Sequence, residues 1–198
     1  MKKIILCLSV LISLNIVAQT NVLILGDSLA EGYGLDEAMA FPRVVEKKLN
    51  DKKINVKVIN GGVSGATSAS GIQRLKWHLK KPVEILLLEL GANDGLRGLS
   101  VPDTKKNLKE IIKFAKEKKV KVMLLGILMP PNYGEDYTKQ FEKMYKQLAS
   151  EEKIPFLPFL LDGVAGNPKL NLPDGIHPNQ KGHEVIAEKV AQFLEKNI

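Results

Sequence analysis

The sequence predicts a single α/β domain in which a five-stranded parallel sheet lies between two layers of helices. Short apolar runs of strand length alternate along the chain with longer amphipathic stretches. The runs are mostly continuous, which is typical of strands that are buried on both faces. A repeated strand–helix order favours a parallel sheet covered on both sides, a three-layer α/β/α sandwich. The five predicted strands are residues 22–25, 56–59, 85–90, 122–128 and 155–160.

The stretches between these runs carry helical periodicity. One helix is predicted to begin after Ser100, because Pro102 stands in its first turn and Asp103 completes a capping-box pattern. Elsewhere apolar residues recur at spacings of three and four, which gives each helix one apolar face. These residues are Phe41, Val44, Val45 and Leu49; Leu108, Ile111, Ile112 and Ala115; Phe141, Met144 and Leu148; Ile186, Val190, Phe193 and Leu194.

Residues 1–18 form a leader that differs from the rest of the 198-residue chain. Two lysines precede an apolar run of about 14 residues, and Ala18 follows it. This pattern predicts a signal peptide cleaved near Ala18, an exported protein (periplasmic or secreted) and a domain over residues 19–198. A retained membrane anchor is the alternative, although the run is shorter than the ~20 residues that span a bilayer.

Removal of the leader changes the composition of what remains. The only cysteine, Cys7, lies within it, so the domain can form no disulfide and has no thiol nucleophile. The formal charge falls from +7 to +5, because two lysines leave with no acid. The remaining lysines alternate with acids, and no basic stripe is interleaved with aromatic residues. We therefore expect no nucleic-acid partner, no stable membrane anchor and a monomer.

Ligands bind parallel sheets at the carboxyl ends of the strands, so residues directly after the apolar runs are the candidate functional residues. The first run is followed by Gly26, Asp27, Ser28 and Leu29. A serine between a strand and a helix can stand exposed among the free N–H groups of the helix start. Capping the helix is the commoner role for such a serine, and both interpretations remain open from this segment alone.

Two further segments follow the second and third runs. Residues 60–67 contain Gly61, Gly62 and Gly65, which predict backbone in close approach to a neighbour or with positive φ. A flexible turn is an equal alternative, and the Gly-Lys-Ser/Thr of a phosphate loop is absent. After the third run, Asn93 can point its amide into a cleft or form an ordinary turn.

The last segment of interest lies near the carboxyl terminus. Asp174 precedes His177 by three residues, a spacing that can place the carboxylate against one imidazole nitrogen while the other faces outward. His78 lies among lysines and His183 near a helix start, so neither has comparable support. No His-Glu-x-x-His pattern occurs, and we expect neither a metal site nor a cofactor.

Together these segments resemble the SGNH (GDSL-type) hydrolase family, which carries its functional Ser, Gly, Asn and His in four blocks. Residues 91–98 and 131–134 are also similar to loops of the bacterial thioesterase I/protease I/lysophospholipase L1 and arylesterase group. The resemblance covers nearly all of residues 19–198 and implies a flavodoxin-like fold and hydrolysis of carboxylic esters or thioesters. The matching residues are Gly26-Asp27-Ser28-Leu29, Asn60 with Ser64-Gly65 and Thr67, Gly91 with Asn93-Asp94, and Asp174 with His177-Pro178.

The resemblance also implies a role for each matching residue. Ser28 would be the nucleophile, His177 its general base and Asp174 the group that orients His177. The backbone N–H groups of Ser28 and Gly65 and the side-chain amide of Asn93 would form the oxyanion hole. Ser28 has no G-x-S-x-G context, which argues against an ordinary α/β-hydrolase.

The apolar residues near these segments indicate the kind of substrate. We expect Leu29, Leu96, Met129, Pro130 and Tyr133 to line an acyl-binding cleft, with ordinary packing as the alternative. Such a lining suits an acyl chain better than a sugar. The resemblance implies thioesters, aryl esters and lysophospholipids as substrates, and we expect hydrolysis of a short- to medium-chain acyl ester or thioester.

Two other functions compete with this one. A carbohydrate acetyl esterase would present aromatic platforms, but the single tryptophan, Trp77, is far from any strand end. A non-catalytic binding module would have lost a residue of the triad or the oxyanion hole, and none is missing.

Overall fold

The computed structural model describes residues 19–198. The predicted signal peptide, residues 1–18, lies outside the described residues. The strands are β1 (Thr20–Gly26), β2 (Val56–Gly62), β3 (Ile85–Glu89), β4 (Lys121–Leu125) and β5 (Phe156–Leu157). The helices are α1 (Ser28–Glu31), α2 (Phe41–Asp51), α3 (Ser68–His78), α4 (Ala92–Leu96), α5 (Val101–Glu117), α6 (Glu135–Glu152) and α7 (Gln180–Glu195).

The five strands form one parallel sheet in the order β2-β1-β3-β4-β5. This is the flavodoxin-like order: β2 lies on one side of β1, and β3, β4 and β5 follow one another on its other side. Strand β1 is an interior strand that pairs with β2 on one edge and β3 on the other, and its residues 22–25 are completely buried because helices cover both faces of the sheet. The loops after β1, β2 and β3 therefore meet at one end of the sheet.

Helices cover both faces of the sheet. Helix α2 packs against α7 on one face, and α5 packs against α3 and α6 on the other. The predicted start of α5 is confirmed, since the Ser100 hydroxyl accepts a hydrogen bond of 3.3 Å from the Asp103 N–H. The predicted α/β/α sandwich is likewise confirmed. Within residues 19–198, no helix combines the length and apolar character needed to cross a membrane.

The predicted bounds of the fourth and fifth strands are wrong. The fourth strand ends at Leu125 instead of residue 128, and the fifth is reduced to two residues. Pro155 and Pro158 flank β5 and have no N–H to donate to a ladder, so pairing cannot extend through them. Beyond β4, the Gly126 carbonyl instead accepts the N–H of Leu160, two residues after Pro158, at 2.9 Å.

Candidate active site

Ser28 is the first residue of α1, two positions after the end of β1. The cap of this helix is Asp27, whose Oδ1 accepts the Leu29 N–H at 3.0 Å. Asp27 therefore fills the capping role that was the alternative interpretation of Ser28. The Ser28 hydroxyl lies instead within reach of a histidine from the other end of the chain.

That histidine is His177, 149 residues further on. Its Nε2 lies 2.9 Å from Ser28 Oγ, and its Nδ1 lies 2.8 Å from Asp174 Oδ2. The second carboxylate oxygen of Asp174 accepts the N–H groups of Ile176 and His177, both at 3.0 Å. The three predicted residues therefore form a continuous hydrogen-bonded chain from carboxylate to hydroxyl.

Electrostatics keep the Asp174 carboxyl ionised. Burial acts to raise its pKa, but the hydrogen bonds from the His177 backbone and ring and from the Ile176 N–H outweigh burial and hold that pKa below its ordinary value. A carboxylate in this state can favour the imidazole tautomer that carries its proton on Nδ1, which leaves Nε2 free to accept from Ser28.

The other two predicted oxyanion-hole residues, Gly65 and Asn93, lie near Ser28. Gly65 has a φ of 75°, a left-handed conformation that favours glycine. The Asn93 amide donates one hydrogen bond, 3.2 Å long, from Nδ2 to Asp27 Oδ2. Both residues line the same cavity as Ser28. The structure therefore brings together the residues that the sequence predicts.

The last two residues of β2, Gly61 and Gly62, lie close to neighbouring elements. A Cβ on Gly62 would collide with the backbone of Ala30 and Glu31, so this position requires close approach of β2 to α1. Arg74 of α3 donates to the carbonyl oxygens of Gly26 (2.7 Å) and Gly61. The turn that carries Ser28 is thus held against its neighbours through the backbone.

Glu89 is not among the predicted site residues, yet it contacts Asp27, the residue before Ser28. It is completely buried at the end of β3, and its Oε2 accepts the Asp27 N–H at 3.1 Å. Burial, with repulsion from Asp27 second, raises the pKa of Glu89 well above its ordinary value. Burial also raises the pKa of Asp27, to about 6. A single acid that ends an otherwise apolar run was the signal for this group in the sequence.

A second buried network positions the helix that carries Asn93. The Asp94 carboxylate accepts hydrogen bonds from the N–H (2.8 Å) and hydroxyl (2.5 Å) of Ser68 and from the hydroxyl of Thr104 (3.3 Å). All three side chains are buried. Asp94 thereby joins α4 to α3 and α5, which fixes the neighbouring Asn93.

A cavity of about 920 Å³ opens beside Ser28 and is lined mainly by apolar side chains. All five predicted substrate-contacting residues lie on its wall: Leu29, Leu96, Met129, Pro130 and Tyr133. Met129 is also packed against Gly95, so it belongs to the core and to the cavity at once. Phe159, Leu161 and Ala165, which follow β5, extend the wall beyond the predicted set.

The other two histidines, His78 and His183, are not part of the hydrogen-bonded chain from Asp174 to Ser28. His183 is buried, and its Nδ1 accepts the Phe41 N–H at 3.0 Å. Burial lowers the pKa of His183 to about 4, and burial likewise lowers the pKa of His78. Among residues 19–198, no cluster of His, Cys, Asp and Glu has the geometry to hold a metal ion.

Comparison with known proteins places this architecture in a family. Residues 24–185 match the model of the GDSL-like lipase/acylhydrolase family. The chain is 36% identical to esterase TesA of Pseudomonas aeruginosa over 191 residues, which cover 96% of this chain and 94% of the relative. It is 37% identical to the arylesterase of Vibrio mimicus (91% of each chain) and to thioesterase 1/protease 1/lysophospholipase L1 of Escherichia coli (94% and 88%).

Solved structures agree with the sequence relatives. A crystal structure of TesA superposes with a TM-score of 0.87 at 36% identity and covers 90% of this chain and 100% of its own. AlinE4, an esterase of the SGNH-hydrolase family, gives a TM-score of 0.77 at 36% identity, with 91% and 97% covered. The predicted resemblance is confirmed, and the chain belongs to the GDSL-like lipase/acylhydrolase family as a hydrolase that acts on ester bonds.

Proposed function

We propose that this protein hydrolyses carboxylic esters and thioesters of acyl chains through an acyl-enzyme formed on Ser28. The observation that carries the proposal is the chain of hydrogen bonds from Asp174 through His177 to Ser28 Oγ, which ends at an apolar cavity. A free serine hydroxyl is a weak nucleophile at neutral pH and needs a base within hydrogen-bond reach. The cavity supplies a place for the acyl chain beside that hydroxyl.

In the first half of the reaction, Ser28 Oγ attacks the carbonyl carbon while His177 Nε2 accepts the hydroxyl proton. The protonated imidazole then gives this proton to the departing alcohol or thiol as the bond to the acyl carbon breaks. In the second half, His177 removes a proton from water, whose oxygen attacks the acyl carbon. The protonated imidazole then returns this proton to Ser28 Oγ as the bond between Ser28 Oγ and the acyl carbon breaks, which releases the acid and restores the free enzyme. Positioned proton transfer of this kind is worth roughly 10²–10⁴ in rate.

The oxyanion of each tetrahedral intermediate needs donors that are already in place. The N–H groups of Ser28 and Gly65 and the second hydrogen of the Asn93 amide serve this purpose. The first hydrogen of that amide is engaged by Asp27, which fixes the plane of the group. Donors that need no reorganisation during the reaction stabilise the transition state more than water does.

The cavity wall supports an acyl substrate over a carbohydrate ester. The residues that follow β4 and β5 give the wall aliphatic and aromatic side chains, with few polar groups to bind sugar hydroxyls. Trp77, the only tryptophan of the chain, is 63% exposed on α3 and does not line this cavity. The relatives named arylesterase and thioesterase 1/protease 1/lysophospholipase L1 support acyl esters, thioesters and lysophospholipids as the substrates to test.

The same proposal includes export of the protein. Residues 1–18 have the pattern of a signal peptide, which would deliver residues 19–198 to the periplasm or the medium. Amino-terminal sequencing of protein recovered from the periplasm tests this: a start near Gln19 is expected, and a start at Met1 would contradict it.

The activity is tested with purified protein and a series of p-nitrophenyl esters of increasing acyl length, beside acyl-CoA and lysophospholipid substrates. Hydrolysis of acyl esters is expected, with loss of activity and of fluorophosphonate labelling in Ser28→Ala. Acetylated xylan is the competing substrate. Turnover confined to acetylated xylan would replace the acyl-ester proposal by a carbohydrate esterase, and a failure of fluorophosphonate to label Ser28 would contradict a serine mechanism.

A further inference from the structure

The first turn of α1 has several backbone N–H groups without partners inside the helix, as every helix start does. Buried carboxyl groups take up two of the backbone N–H groups next to Ser28. The Leu29 N–H is bound by Asp27 Oδ1 (3.0 Å) and the Asp27 N–H by Glu89 Oε2 (3.1 Å). In the described part of the chain, the Ser28 N–H between them has no acceptor.

Asp27 also contacts Asn93, on the other side of the predicted oxyanion hole, and Glu89 acts there through Asp27. Asp27 Oδ2 accepts one hydrogen of the Asn93 amide, and both residues border the cavity. Glu89 holds the backbone of Asp27, so the position of the Asp27 side chain depends on Glu89. Glu89 itself is completely buried and does not line the cavity, so any effect it has on a substrate passes through its neighbours.

We propose that Glu89 is a positioning residue for the oxyanion hole. Its side chain accepts the Asp27 N–H, which leaves the neighbouring Ser28 N–H to the substrate, and it fixes Asp27, which in turn orients the Asn93 amide. The inference rests on the proposed ester hydrolysis, because it assigns Glu89 a part in that reaction.

The charge distribution around Glu89 supports this role. Arg74 faces the pair from α3 and Tyr145 faces it from α6, and the Arg74 Nη1 and Glu89 Oε1 atoms have no hydrogen-bond partner among residues 19–198. Both Asp27 oxygens accept hydrogen bonds, which favours the ionised form of Asp27. Since two buried carboxylates side by side repel each other, the proton of the pair belongs on Glu89. A neutral acceptor is then all that the Asp27 N–H requires of it.

This assignment predicts different results for two variants of Glu89. Glu89→Gln keeps a neutral acceptor of the same shape and is expected to hold kcat within about threefold of the wild type. Glu89→Leu removes the acceptor and is expected to lower kcat about 10²-fold, the size of effect seen for a lost oxyanion donor. KM is expected to stay unchanged, since the cavity wall is intact.

The experiment measures kcat and KM on p-nitrophenyl butyrate and the affinity for an alkyl boronic acid, which adopts a tetrahedral form on the serine. In Glu89→Leu the boronic acid is expected to bind more weakly in parallel with kcat, because both depend on the oxyanion hole. The matched control is His183→Leu, which removes the buried acceptor of the Phe41 N–H away from the cavity and is expected to keep kcat.

Three results would overturn the inference: a folded Glu89→Leu with wild-type kcat, an equal loss of kcat in His183→Leu, or a fall in kcat without weaker boronic acid binding. If Glu89→Leu does not fold, Glu89→Asp takes its place. Its side chain is one methylene group shorter and withdraws the acceptor from the Asp27 N–H, so at least about a tenfold loss of kcat is expected and an unchanged kcat overturns the inference. Wild-type protein that fails to hydrolyse any ester would instead reject the proposed function, independently of these ratios.

Discussion

The ring of Tyr33 lies over the imidazole of His177, with ring centroids 4.4 Å apart and planes inclined by 33°. Tyr33 follows α1, so the segment just after the nucleophile also packs against the proposed base. His177 thus contacts the amino-terminal part of the chain twice, because its ring packs against Tyr33 and its Nε2 is hydrogen-bonded to Ser28. The position of the imidazole therefore depends on packing as well as on hydrogen bonds.

Replacing Tyr33 tests this packing. Tyr33→Ala is expected to lower kcat/KM by about 2- to 10-fold, since a ring pair is worth about 0.5–1.5 kcal/mol. Tyr33→Phe keeps the ring and is the control, expected to match the wild type. Steady-state kinetics on one p-nitrophenyl ester suffice. Equal rates in Tyr33→Ala and the wild type would show that the ring does not help to hold His177.

Asn93 allows a direct test of the proposed oxyanion hole. Asn93→Ala is expected to lower kcat by about 10²–10³ with little change in KM, because the donor acts on charge that develops in the transition state. Asn132→Ala is the matched control, since Asn132 lines the same cavity on the far loop. Undiminished kcat in Asn93→Ala would remove Asn93 from the mechanism.

The raised pKa of Glu89 predicts how stability depends on pH. The folded protein keeps a proton on Glu89 where the unfolded chain has lost it, so this group opposes folding increasingly as pH rises above the ordinary Glu value of 4.5. Glu89→Gln removes that penalty, which grows by about 1.4 kcal/mol for every pH unit between the unfolded and the folded pKa. Its Tm is therefore expected to exceed that of the wild type at pH 8 and to approach it at pH 4. Thermal unfolding at both pH values checks the sign, and an advantage that grows toward pH 4 would contradict it.

The far end of the cavity is expected to set acyl-chain length. Three strand spacings separate β1 from β5, so the wall after β5 lies roughly 14 Å from the nucleophile. The Ala165 N–H is bound to the Leu161 carbonyl oxygen (2.9 Å) in this region, and Ala165 lines the cavity. Ala165→Trp is expected to lower kcat/KM for long-chain p-nitrophenyl esters about tenfold and to spare the acetate and butyrate.

The control for this substitution is Val185→Trp, an exposed position on α7 outside the cavity wall. A uniform loss over all chain lengths in Ala165→Trp, or the same selectivity change in Val185→Trp, would show that this end of the cavity does not measure the acyl chain.

Helix α6 ends on a lysine in an unfavourable conformation. Lys153 has φ 51° and ψ 50°, the left-handed region in which a Cβ is crowded. Lys153→Gly is expected to raise the free energy of unfolding by about 0.5–1 kcal/mol, or about 1–4 °C in Tm. Lys146→Gly, in the middle of the same helix, is expected to lower it by about 1 kcal/mol. Thermal unfolding of the two variants decides whether conformation or loss of the lysine side chain governs the result.

The sequence predicted most of the fold because its strongest signals are local. Continuous apolar runs identified β1 to β4 to within a few residues, and a parallel sheet then requires the segments after the strands to lie at one end. The fifth strand was overestimated because an apolar run does not reveal that Pro155 and Pro158 block its pairing.

The residues of the site that could be predicted are likewise those that give a local signal in the sequence. Ser28, Asn93 and His177 stand next to strand ends or in a loop, where polar side chains attract notice. Glu89 and Arg74 act through backbone groups that are distant in sequence, 62 residues apart for Glu89 and Asp27 and 48 for Arg74 and Gly26. Contacts of this kind depend on how the layers pack, which periodicity cannot supply.

The hydrogen bond between His177 and Ser28 joins the two halves of the chain across the exposed loop at residues 130–134. A chain divided at that loop would leave the nucleophile and the oxyanion donors on one fragment and the base with its carboxylate on the other. Neither fragment alone could turn over an ester, whereas their reassociation would restore the complete set. Ester turnover in this protein therefore reports whether its two halves are associated.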